Sequence, residues 1–91
     1  MNDIEKLIFD KVVMDTENYA ELYESGVTAE MFSGQYKDMF EFAQRFTKVH
    51  GLGPSSDAMK IEFPDYEWSF PPYEPLSYYV EQLKKQYSFR S

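Results

Sequence analysis

Between Tyr36 and His50 the large side chains recur at helical spacing. Tyr36, Met39, Phe40, Ala43, Phe46 and His50 follow one another at intervals of three, one, three, three and four. That period stacks them on one face of a helix of about four turns and leaves Lys37, Asp38, Glu41, Gln44, Arg45 and Lys48 on the other. An isolated helix of this length is marginal in water, so the apolar face must be buried by the rest of the chain. Gly51 closes the helix.

The flanking segments supply that cover. Ile4, Leu7, Ile8, Val12 and Val13, with Phe9 and Met14 beside them, predict an opening helix with a broad apolar face. Asn2 or Asp3 is placed to cap it, and Glu5 lies at the positive end of its dipole. Thr16 is placed to cap a short second helix through Tyr23, which Ser25-Gly26 ends. Thr28 then precedes a single turn that turns Met31 and Phe32 inward. After Leu52-Gly53-Pro54, Ser55 or Ser56 opens a short helix from Asp57 to Phe63, with Pro64 as its stop. Leu76, Tyr79, Val80, Leu83 and Tyr87 predict a closing amphipathic helix over 75–87, with Pro75 in its first turn and Lys84 and Lys85 near its negative end. The expected fold is all-α: a compact bundle of five or six short helices around a single core, one domain over 1–91, with the closing helix leading toward a linker. Its expected core includes Leu7, Ile8, Met39, Phe40, Ala43, Phe46, Val80 and Leu83.

Composition narrows the function classes. Apolar residues make up 43% of the 91-residue chain, ordinary for a folded domain, and aromatic residues 19%, well above ordinary. Aromatics at helical spacing read as core, a way for a small protein to gain buried area from few side chains. Nine Lys and Arg against sixteen Asp and Glu give a net charge of −7, which repels phosphate, so no direct nucleic-acid binding is expected. The chain has no Cys and one His, which removes thiol chemistry and the usual zinc ligand sets. It has no P-loop pattern, and its scattered glycines form no dinucleotide fingerprint. His50 reads as a last-turn residue suited to the helix dipole, and pairs such as Glu17 with Glu21, or Glu21 with Glu24, as solvated helix faces. No catalytic residue, cofactor, metal or membrane segment is expected, and the acidic, polar start does not look like a signal peptide.

One stretch departs from a helical core. In Asp65-Tyr66-Glu67-Trp68-Ser69-Phe70-Pro71-Pro72-Tyr73, four aromatics alternate with polar or small residues beside two prolines. The prolines favour a stiff, extended path. The stretch reads either as a lid across the core or as a partner contact, and a loop can be both. The candidate protein-interaction residues are Tyr66, Trp68, Phe70 and Tyr73, with Tyr78 turned outward on the closing helix.

The order of these segments carries a resemblance. The opening helix Glu5-Lys6-Leu7-Ile8-Phe9-Asp10-Lys11-Val12-Val13-Met14-Asp15 runs into a short helix ending Leu22-Tyr23. Gly26-Val27-Thr28-Ala29-Glu30-Met31-Phe32 leads to the long helix beginning Tyr36-Lys37-Asp38-Met39-Phe40-Glu41-Phe42. Then come the loop Gly51-Leu52-Gly53-Pro54-Ser55 and a helix ending Phe63-Pro64. Over residues 4–87 this resembles the amino-terminal domain of DnaB-type replicative DNA helicases, in a phage-like version. The resemblance implies a non-catalytic domain that helps assemble the helicase ring and contacts a primase or helicase loader. It also implies a cytoplasmic setting, in a bacterial host cell if phage-encoded, and a longer parent protein that is an ATP-dependent helicase. The alternative is a stand-alone acidic phage-type regulator that binds a host protein.

Overall fold

A computed structural model describes residues 3–90, without the side chains of residues 89 and 90. Among the described residues there are five α-helices and one 3-10 turn, with no strand. They are α1 (Ile4–Met14), α2 (Asn18–Glu24), the 3-10 turn (Ala29–Met31), α3 (Gly34–His50), α4 (Ser56–Glu62) and α5 (Leu76–Arg90). The all-α bundle with a single core is therefore as expected.

Helix α5 packs along α1 and α2, which places the last helix of the chain against the first. Ile8, Phe9, Val12 and Val13 of α1 meet Leu76, Tyr79, Val80 and Leu83 of α5 in one buried cluster with Leu22, Val27, Phe32, Met39, Phe40, Ala43 and Met59. Two expected core residues are only partly buried: Leu7 packs against this cluster, and Phe46 stacks between Phe42 and His50. His50 itself is exposed at the end of α3.

The aromatic excess has a definite use. Tyr19, Tyr23, Phe40, Phe32, Phe9, Tyr36, Tyr66 and Trp68 form an unbroken chain of ring contacts, with centroid separations from 4.1 to 6.1 Å. Five of these seven pairs are tilted or edge-on and two are stacked; the tilted and edge-on ones suit the ring quadrupoles and add to simple area burial. The chain runs through α2, α3 and α1 and out into the loop before α5.

Helix ends are fixed partly by local signals and partly by distant ones. The Asp3 carboxylate accepts from the Glu5 and Lys6 amides at 3.1 and 3.4 Å, the expected cap of α1. Gly26 and Gly51 take left-handed φ values of 89° and 81°, as helix ends favour. Thr28 and Ser55 stand at cap positions without a side-chain cap bond, and α2 begins after Glu17, whose amide donates to Asp15 at 3.3 Å. The cap position of α2 is thus Glu17, without a side-chain cap bond, and not Thr16 as expected. At α3 the cap position is Ser33, and its amide donates to Glu5 Oε1 across the fold at 2.5 Å. Glu5 is buried, so its charge serves a second helix as well as its own.

Gly53 shows how closely the segments meet. A Cβ there would lie 2.1 Å from Tyr19 Cδ2, so only glycine lets the loop rest on that ring. The Tyr19 hydroxyl then donates to the Pro54 carbonyl at 2.8 Å in a buried bond.

Candidate functional site

The loop over 63–75, between α4 and α5, lies on the polar side of α1. Its anchor is Lys6. The ammonium has three N–H groups and meets three acceptors: Asp10 Oδ2 at 2.8 Å, the Glu67 carbonyl at 3.0 Å and Ser69 Oγ at 3.0 Å. Its nitrogen also stands 5.1 Å from the centroid of the Tyr66 ring. Asp10, only 1% exposed, completes the cluster by accepting at Oδ1 from the Tyr66 hydroxyl and the Ser69 amide, both at 3.4 Å. Next to Asp10 in the chain, Lys11 donates to the Pro72 carbonyl at 3.2 Å. At the far end of the loop the Tyr79 hydroxyl donates to Glu74. The loop is therefore held at three points, two on α1 and one on α5.

This anchoring sorts the aromatic side chains. Tyr66 is 7% exposed and belongs to the core, which removes it from the set of exposed contact residues expected from sequence. Burial, and then the charge of Asp10, push its phenol well above the ordinary range. Trp68 is half-buried against Tyr66, and its indole N–H meets no acceptor among the described residues. Phe70 and Tyr73 are the reverse, 94% and 96% exposed. Tyr78 is 48% exposed on the first turn of α5 and packs edge-on against the buried Tyr79.

Trp68, Ser69 and Phe70 line one shallow cleft of about 260 Å³ with Met14, which is 57% exposed at the end of α1. Tyr73 and Tyr78 lie outside that cleft. The structure thus brings Trp68 and Phe70 together, adds Met14, and sets Tyr73 and Tyr78 apart. Sequence reasoning did not single out Met14, Lys6, Asp10 or Lys11. An i, i+4 pair such as Lys6 and Asp10 reads as a solvated helix face unless a distant loop is known to cover it.

Lys6 and Ser69 are within bonding distance, but Lys6 donates all three of its N–H groups and offers the serine no base. A wider groove of about 550 Å³ beside α3 is lined by Tyr23, Glu41, Gln44, Arg45, Thr47 and Lys48. It carries both signs of charge. Its buried-side polar atoms are engaged with one another: Thr47 donates to the Ala43 carbonyl at 2.8 Å, so the Tyr23 hydroxyl donates to Thr47 Oγ1 at 3.0 Å. Among the described residues no group of three His, Asp or Glu is arranged to hold a metal ion, and no helix is long and apolar enough to cross a membrane. Comparison of the chain with family models, curated proteins and solved structures finds no match.

Proposed function

We propose that this chain is a non-catalytic assembly and docking domain of a replicative DNA helicase, contributing to ring assembly and to contacts with a primase or helicase loader. The helicase assignment rests on the order of segments over residues 4–87. The docking assignment rests on one observation: Phe70 and Tyr73 are almost fully exposed on a loop whose backbone is tied to Lys6 and Lys11. Exposed aromatics on a flexible loop must be ordered when a partner binds. A loop already fixed, with Pro71 and Pro72 stiffening it, avoids much of that cost. Large rigid rings beside an apolar cleft are the side chains that dominate binding hot spots.

A second reading, the stand-alone acidic regulator that binds a host protein, uses the same docking loop and draws on the net charge of −7. The coding sequence downstream of the Ser91 codon separates the two. Continuation into a G-x-x-x-x-G-K-[ST] segment supports the helicase domain, whereas a stop codon there favours the regulator. On the protein itself, co-sedimentation with the primase and the helicase loader of the same source tests the docking role. The helicase reading predicts a complex with one of them that Phe70→Ser weakens, and it fails if neither associates.

A further inference from the structure

The charge around the loop bears on what it binds. Between Lys60 and Lys84 the chain carries Glu62, Asp65, Glu67, Glu74 and Glu81 and no Lys, Arg or His. Asp65, Glu67 and Glu74 are exposed, as is Asp15 beside Met14. The cations that reach this face from α1 are turned inward: Lys6 is engaged by Asp10, the Glu67 carbonyl and Ser69, and Lys11 by the Pro72 carbonyl. What faces solvent is a set of apolar rings with an acidic rim.

Resting on the docking reading, we propose that the Met14–Trp68–Phe70 cleft takes a basic segment of another protein, one that carries Lys or Arg on either side of a large apolar anchor. The anchor replaces water against Phe70, Met14 and the open face of Trp68. The flanking cations meet Asp65, Glu67 and Asp15, and the exposed rings of Phe70 and Tyr73 favour a cation over an anion at their faces. The same charge argues against the other occupants. Nucleic acid and an anionic membrane surface would be repelled by the rim, and a second copy of this chain brings the same net charge of −7.

Two short synthetic amphipathic peptides with the same leucine anchors, one flanked by lysines and one by glutamates, test this on the whole chain. Trp68, the only tryptophan, lies in the cleft and reports occupancy by its fluorescence. The lysine-flanked peptide should bind roughly tenfold more tightly or better at moderate salt. Phe70→Ser should weaken it by roughly fivefold or more without a change in melting temperature. The pair Asp65→Asn with Glu67→Gln should remove most of the preference for lysine over glutamate. If the lysine peptide binds the Phe70→Ser chain as well as the parent, it adheres to acidic surface in general and the inference is overturned. Equal binding of both peptides, each dependent on Phe70, overturns the charge inference and leaves the docking surface standing. Binding of neither, with Trp68 unperturbed, overturns both.

Discussion

At the residue scale, Lys6 and Asp10 have the widest consequences. Asp10 is buried, and its charge is compensated by one ammonium and two weaker donors. Lys6→Met would leave that carboxylate without its cation and free the Glu67 carbonyl and Ser69 from their tether. Because Lys6 is partly exposed, the expected loss lies toward the lower part of what a broken buried pair costs, about 2–4 kcal/mol, measured by urea unfolding. A loss below about 0.5 kcal/mol would show that the pair is solvated and that the loop is held by other contacts. The tyrosines give a second residue-scale prediction. Tyr36 is pushed up to about 12, chiefly by burial and then by the charge of Asp3, and Tyr79 to about 12 by burial and its bond to Glu74. A phenol whose pKa is raised on folding binds its proton more tightly in the native state. Its contribution is thus complete below the unfolded value near 10 and is lost as pH rises toward 12. Stability should hold to about pH 10 and fall steeply above it, and a phenolate absorbance titration should show ionisation coinciding with unfolding. Free titration of all eight tyrosines in a chain that stays folded would contradict the burial described.

At the element scale, what was legible in the sequence follows from the range of the forces involved. The helices were readable because their apolar period is local, and Asp3, Gly26 and Gly51 because their capping roles act within a turn. The bond from Ser33 to Glu5 was not readable, because it joins residues far apart in sequence. Nor was the division of the aromatic loop. Tyr66, Trp68 and Phe70 are spaced two apart, and an extended chain would point them the same way. The change from covered to exposed rings falls next to Ser69, whose amide and hydroxyl are both held by the Asp10–Lys6 pair, so which rings are covered depends on contacts with α1. The long-helix register remains testable. Phe40 touches both Phe32 and Tyr23 in the buried cluster, and Phe40→Ala should cost about 3–5 kcal/mol. A near-unchanged cooperative melt would place that face of α3 elsewhere. The loop before α4 offers a contrasting case of overpacking. Gly53→Ala must displace the Tyr19 ring and should destabilise the chain by about 1–3 kcal/mol, even though alanine removes conformational freedom from the unfolded state. Equal or higher stability in a thermal melt would mean that the loop and the ring separate readily.

At the scale of the whole molecule, one chain of aromatic contacts passes from the Tyr19 corner through the core to Trp68, and the backbone then carries Phe70 out into solvent. The core and the proposed docking surface are therefore successive parts of one aromatic system, divided at Ser69. With its charge of −7 the isolated chain should show no submicromolar affinity for single- or double-stranded DNA at physiological salt, by fluorescence anisotropy; such an affinity would overturn the electrostatic argument. The most direct test of the division is to measure stability and association on the same two variants, Phe70→Ala and Trp68→Ala, against whichever of the primase, the loader or the lysine-flanked peptide binds the parent chain. Phe70→Ala should leave the unfolding free energy within about 0.5 kcal/mol of the parent and weaken association by about 1–3 kcal/mol. Trp68→Ala should lower both, because that ring packs on Tyr66 and also lines the cleft. A Phe70→Ala chain that loses stability while its folded fraction binds with unchanged affinity would contradict the account, since Phe70 would then belong to the core and the loop would be only a lid.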